Sequence, residues 1–182
     1  METQTKMSAI VEKAMVYAIE CHSSTNHKYG EGLEYSFHLG MVYTFGLKFI
    51  HLIPEEHRDN VLASLWVHDV IEDCRQTYND VKEATNEPIA ELAYALTNEK
   101  GKNRKERGND KYYQGIRDTE FAVFDKLCDR MANMTYSKNE GSRMFDMYVK
   151  ENDGFVAKLS DENSIVLYAE MFYHLGEIAQ PK

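Results

Sequence analysis

The stretch Val61-Leu62-Ala63-Ser64-Leu65-Trp66-Val67-His68-Asp69-Val70-Ile71-Glu72-Asp73 is almost wholly apolar up to Val67 and then carries four ionisable side chains within six residues. Val61, Leu62, Leu65 and Trp66 recur at helical intervals, which predicts a buried helix that starts after Pro54 and runs towards Asp73. In a continuous helix His68 would stack over Glu72 and Asp69 over Asp73, so the four groups would share one arc. Unpartnered buried carboxylates are costly, and such an arc entering a core calls for a metal, another cation or water-filled space. A divalent metal meets that need most simply. Taken alone, a His-Asp pair is more often a solvated helix face, so the reading depends on what stands elsewhere in the chain.

Upstream, Ile10, Val11, Ala14, Met15, Ala18 and Ile19 mark an amphipathic helix over residues 8–22, and residues 23–32, rich in Ser, Asn and Gly, read as a loop. Residues 35–52 are again apolar with helical spacing. Downstream, Pro88 opens a helix with Ile89, Leu92, Ala93 and Leu96 on its stripe. Residues 98–118 then read as a polar, Gly-containing stretch. Helices resume over residues 142–150 and 161–178, the last with Ile165, Tyr168, Ala169, Phe172 and Leu175 on one side. No strand or hairpin signal is evident. The expectation is an all-α fold, a compact multi-helix bundle with a metal site between helices. One domain over residues 1–182 is expected, with its motifs within 14–148 and a C-terminal helical extension over 153–182.

The formal net charge of -9 over 182 residues argues against binding along a DNA or RNA backbone, which relies on Lys and Arg neutralising phosphates. A small anionic substrate would need a local basic patch. One exists in residues 98–118, where Lys100, Lys102, Arg104, Lys105, Arg107, Lys111 and Arg117 outnumber Glu99, Glu106, Asp110 and Asp118. Of these, Lys102, Arg107 and Lys111 read as solvated surface charges. Cys21, Cys74 and Cys128 are odd in number and widely spaced, which fits a reducing cytoplasmic compartment. No apolar run approaches the roughly 20 residues needed to cross a bilayer, and residues 1–6 show no targeting pattern; no membrane association is expected.

Two further strings carry chemistry. In Lys126-Leu127-Cys128-Asp129-Arg130-Met131-Ala132-Asn133-Met134, Asp129 and Asn133 are four apart and face the same way on a helix. In Tyr35-Ser36-Phe37-His38 an imidazole stands at an apolar helix start. In this order and at these separations, the three strings resemble the HD-domain hydrolases, and more closely the RelA/SpoT-type alarmone hydrolases in their single-domain, small form. That family shows a His at the end of an N-terminal helix, a basic loop, a Tyr then a His, the box HD-x-x-ED, a Thr-Asp-Asp-Lys-like turn and a Lys-Leu-Ala-Asp-Arg-x-x-Asn-Met string. This chain offers His22, Lys28, Tyr35, His38, His68-Asp69 with Glu72-Asp73, Thr97-Asn98-Glu99-Lys100 and the Asp129 string.

The resemblance implies that His38, His68, Asp69 and Asp129 are the protein ligands of one metal, manganese in the family; the ligand chemistry also suits Fe, Co or Zn. It implies that Glu72 and Asp73 position and deprotonate the attacking water. The reaction implied is attack on the phosphorus nearest the ribose 3′ oxygen of guanosine tetra- or pentaphosphate, releasing pyrophosphate and leaving GDP or GTP. It further implies that the basic loop at His27 and Lys28, together with Tyr35, contacts substrate, that Lys28, Lys100 and Arg104 grip phosphates, and that Asn133 holds the nucleoside.

The chain departs from the pattern at His27, where an Arg is usual, at Glu34, where a Pro is common, and at Cys128 and Ala132 in the last string. Cys128 reads as a small packing residue. His22, His51, His57 and His174 read as helix-end or surface residues, with His22 placed to orient the following loop. Two alternatives stay open: an HD phosphatase acting on another nucleotide, such as NADPH or a deoxynucleoside monophosphate, and a catalytically inactive nucleotide-binding HD module. The partner expected is a small nucleotide, with the chain a monomer or homodimer.

Overall fold

Why Val61–Val67 is so uniformly apolar becomes plain from its surroundings: every residue from Val61 to Val67 is buried, as expected for a helix covered on all sides. The structure, a computed structural model, describes residues 7–180 apart from the Lys105 side chain; the readings made on residues 1–6 and on Lys105 lie outside the described residues. Helix α1 (Ala9–Ser24) leads through a hairpin of β1 (Lys28–Tyr29) and β2 (Leu33–Glu34) into α2 (Ser36–Phe49). Two short 3-10 turns, Ile50–Leu52 and Glu55–His57, precede α3 (Arg58–Val67) and α4 (Val70–Asp73). Then follow α5 (Tyr78–Ala84), α6 (Glu87–Leu96), α7 (Arg104–Arg107), α8 (Asp110–Asp118), α9 (Ala122–Asn139), α10 (Arg143–Leu159), α11 (Ser164–Leu167) and α12 (Ala169–Ala179). The expected all-α bundle is what forms.

Two helices are central. α3 packs against α1, α2, α6 and α9, while α9 packs in addition against α8, α10 and α12. Phe124, Leu127, Met131 and Met134 of α9 are fully buried, so the helix that carries Asp129 is fixed on several sides. Local signals set the helix starts. Thr77 and Asp80 form a reciprocal capping box ahead of α5, and Asn86 caps α6, with Pro88 in its first turn. No helix among the described residues is long and apolar enough to cross a membrane.

The structure corrects four expectations. The helix expected to run through the His68-Asp69 pair ends at Val67, and a new short helix begins at Val70. The His68 ring donates from Nδ1 to the Leu65 carbonyl at 2.9 Å, occupying an acceptor that the Asp69 amide would take in a continuing helix. A hairpin stands where none was expected, pairing Lys28 with Glu34 and Tyr29 with Leu33. Its turn uses Gly30 and Gly32 at φ 54° and 102°, a region that L side chains rarely adopt. The polar stretch 98–118 contains α7 and α8; Asn103 and Asn109 cap them, and Tyr112 and Ile116 anchor α8 in the core. The last helix is divided at Tyr168: Tyr168 and Leu175 are buried as expected, but Ile165 is exposed.

α3 and α9 share a fully buried polar contact. Ser64 Oγ lies 2.7 Å from the Val61 carbonyl and 2.5 Å from Asp125 Oδ2. One hydroxyl proton serves only one of them, and a protonated Asp125 supplies the other hydrogen bond. Burial, only partly offset by Ser64 and His68, accordingly raises the Asp125 carboxyl to about 7. Between the ordinary carboxylate range and that value the native state holds a proton that the unfolded chain has released, so this group's contribution falls as pH rises. Asp125→Asn should therefore match the native chain near pH 4.5 and exceed it by up to roughly 3 kcal/mol at pH 8, read from urea midpoints. A difference that does not change with pH would contradict this.

Candidate metal centre and cavity

Three parts of the chain converge behind the α3–α4 break. His38 sits in the first turn of α2, His68 and Asp69 occupy the break, and Asp129 projects from the middle of α9. His68 Nε2 is 3.0 Å from Asp69 Oδ2 and 3.9 Å from Asp129 Oδ1. His38 Nε2 is 3.7 Å from Asp69 Oδ2 and 3.4 Å from Asp129 Oδ1. One atom each from His38, His68 and Asp69 lies within 4.8 Å of the others, a grouping that could hold a metal ion. Both imidazoles are buried, at 1% exposure.

The donor set fits a divalent cation on two observations. His68 Nε2 is buried without a hydrogen-bond partner, while Nδ1 is committed to the Leu65 carbonyl; that arrangement turns Nε2 towards the carboxylates, as metal-ligating histidines are oriented. The second observation is the charge balance. Burial opposes the charged form of His68, yet Asp69 and Asp129 outweigh it and push its pKa up to about 9. Burial likewise opposes ionisation of Asp69 and Asp129, but His68 and His38 hold Asp69 well below the usual carboxylate range, and Lys126, His38 and His68 do so for Asp129. Two carboxylates thus face this pocket as anions and draw positive charge to it.

Neighbouring side chains orient the acids. Tyr35 Oη donates to Asp69 Oδ2 at 2.5 Å, and Lys126 Nζ donates to Asp129 Oδ2 at 2.9 Å. Glu72 and Asp73 are treated differently by their surroundings. Asn98 donates to Glu72 from its backbone amide and from Nδ2, the latter at 2.8 and 3.0 Å to the two oxygens, and Arg107 Nη1 lies 3.8 Å away. Glu72 is therefore held as an acceptor. Burial, with Asp69 and Glu72 nearby, raises the Asp73 carboxyl to about 7.

The acids open onto a cavity of about 890 Å³. Tyr35, Asp69, Glu72, Asp73, Asp129 and Asn133 line one part of it; Arg104, Arg107, Lys126, Arg130, Lys150 and Lys158 supply cations; Tyr112, Tyr113, Tyr148 and Phe155 supply aromatic surface. Arg130, only 5% exposed, lies between the Tyr148 and Phe155 rings at 4.4 and 4.7 Å, and its Nε has no partner. Arg104 covers Tyr148 at 5.2 Å and pairs with Glu151.

The sequence-derived candidates thus separate into two groups. His38, His68, Asp69, Glu72, Asp73, Tyr35, Arg104, Asp129 and Asn133 are brought to one place. Lys28 pairs with Glu34 on the hairpin and Lys100 is exposed, neither lining the cavity. His27 is 3.5 Å from Asp73 Oδ2 and also outside the lining. Arg107, read as solvated, is in the wall. His22 stands in the last turn of α1, the helix-end place read for it, but is buried: it stacks on Tyr35 at 4.1 Å, approaches His27 of the following loop through Nδ1 at 3.2 Å, and is driven by burial to a pKa of about 4. Missed altogether were Lys126 and Arg130, cations inside an apolar helix, and the α10 wall from Met147 to Lys158.

After dialysis against Mn2+, His68→Ala and Asp129→Ala should each lose the bound ion that the native chain retains, as read by elemental analysis, while Asp73→Asn should keep it. Equal metal content in all four proteins would contradict the donor set.

No family model matches the chain. Among solved structures, it is similar to one described as a metazoan ortholog of SpoT that hydrolyzes ppGpp and plays a role in starvation responses, with a TM-score of 0.67, 23% identity, 94% of this chain covered and 98% of that chain. Over nearly its whole length, then, this chain has the fold of that protein.

Proposed function

We propose that this chain is a metal-dependent phosphohydrolase of the HD type that removes the 3′-diphosphate of guanosine tetra- or pentaphosphate, giving pyrophosphate and GDP or GTP. The observation that carries the reading is the joining of the buried His38, His68 and Asp129 and the half-buried Asp69 to a cation-lined cavity, with Glu72 and Asp73 at the junction. The reported activity of the structurally similar protein supports the same substrate.

At about 890 Å³ the cavity lies in the upper part of the roughly 300–1,000 Å³ range of small-molecule pockets. Aromatic walls suit a nucleoside, and guanidinium groups suit phosphates through paired, charge-assisted hydrogen bonds. Arg104, Arg107, Lys126 and Arg130 take the phosphate-gripping role in preference to Lys28 and Lys100. A divalent cation, manganese by family resemblance, would acidify a bound water and polarise a phosphoryl oxygen.

The chain's own groups do the rest. Asp73, with its carboxyl near neutrality, accepts the proton of the attacking water. Glu72, held by Asn98 and Arg107, orients that water. The new P–O bond forms at the phosphorus bonded to the ribose 3′ oxygen, the P–O3′ bond breaks, and the 3′ oxygen leaves with the proton that Asp73 took from the water, which returns Asp73 to its starting form.

Manganese-loaded protein is to be incubated separately with guanosine tetraphosphate, NADPH and deoxynucleoside monophosphates. Turnover of the first is expected; its absence would overturn the reading. Asp73→Asn should lower kcat by about 10²-fold or more, and Arg104→Ala should raise KM while Lys111→Ala leaves it unchanged. Identical kinetics for the last two would remove the phosphate-gripping role.

A further inference from the structure

Asn133 and Tyr29 contact two members of the acid-imidazole cluster. Asn133 Nδ2 donates to Asp129 Oδ1 at 2.6 Å, and the Asn133 Oδ1 accepts from Tyr29 Oη at 3.0 Å. Both ends of the amide are therefore engaged within the protein. The Tyr29 ring also stacks on His38 at 4.8 Å between centroids and 25° between planes, and meets Tyr136 at 4.6 Å. One side chain thus covers a candidate metal-binding imidazole and, through one amide, fixes a candidate metal-binding carboxylate.

We propose that Tyr29 is a positioning residue for the metal centre, and that Asn133 serves as its link to Asp129 rather than as a grip for the nucleoside. The inference rests on the metal-dependent reading above. The hairpin then has a purpose: Tyr29 pairs in register with Leu33, and the turn through Gly30 and Gly32 returns the chain so that Tyr29 lies over α2 and α9. The geometry has a direct physical consequence. Asp129 is also drawn by Lys126, which donates to its other oxygen, Oδ2. Holding Oδ1 from the opposite side keeps that oxygen 3.4 Å from His38 Nε2, where a shared ion would sit. Asn133 Nδ2 also lies 3.2 Å from the Asp129 backbone carbonyl, a competing acceptor; without the Tyr29 hydroxyl the Oδ1 end of the amide is untethered, and its hold on the Asp129 carboxylate against the pull of Lys126 is weakened.

Partners that orient ligands in this way typically change metal affinity about 10- to 100-fold when removed. The test is calorimetric titration of Mn2+ into the native chain, Tyr29→Phe, Asn133→Ala and the double variant, each first shown by circular dichroism to melt as a folded protein. Tyr29→Phe keeps the ring stack and loses only the hydroxyl, so it should fold and bind Mn2+ about 10-fold more weakly. Asn133→Ala should weaken binding at least as much, and the double variant should be no worse than Asn133→Ala, because the hydroxyl acts through the amide. Native affinity in Tyr29→Phe overturns the proposal, as does an Asn133→Ala variant that binds Mn2+ normally and shows only a raised KM for guanosine tetraphosphate. Failure of the native chain to bind any Mn2+ would instead overturn the metal-dependent reading together with this inference.

Discussion

The hydrogen bond from His68 Nδ1 to the Leu65 carbonyl is the contact on which the site depends. It takes an acceptor from the last turn of α3, and Asp69 stands between α3 and α4 with φ near -104° and ψ near -3°, off the ideal helix but still in the right-handed region. It also settles which imidazole nitrogen faces the carboxylates. A helix that ran on through the pair would have carried Asp69 around with the backbone spiral. The break instead aims the carboxylate at two imidazoles and at the Tyr35 hydroxyl.

From that break follows a division of charge. Asp69 and Asp129 are held in the ionised form because cations and imidazoles surround them, whereas burial and the neighbouring Asp69 and Glu72 raise the Asp73 carboxyl to about 7. Carboxyl groups whose surroundings push their proton affinities apart are the usual means by which one site combines fixed anions with a proton acceptor. The same division explains why cationic side chains stand across the cavity: a net-acidic chain of -9 concentrates Arg104, Arg107, Lys126 and Arg130 where an anionic ligand would enter.

The sequence discloses the centre of this arrangement better than its walls. His38, His68, Asp69 and Asp129 stand in or next to apolar helical stretches, where a charged or imidazole side chain is conspicuous, and the α2, α3 and α9 stripes beside them are long enough to read. The hairpin is two residues on each side and mostly polar, too short for alternation to show. Helix α8 depends on an Asn cap and on Tyr112 and Ile116 rather than on a full apolar stripe. Arg130 lay inside a string already singled out, and its signal was a guanidinium between Asp129 and Met131 on a buried helix. The α10 wall could not be read, because its place opposite Asp69 depends on tertiary packing between segments some 80 residues apart in the chain.

The most direct test of the central claim is hydrolysis of guanosine tetraphosphate in 18O-water by the manganese-loaded protein, with products separated and weighed by mass spectrometry. Attack on the phosphorus next to the ribose predicts one 18O atom in pyrophosphate and none in GDP. Label in the nucleoside product, or in released orthophosphate, would contradict the account.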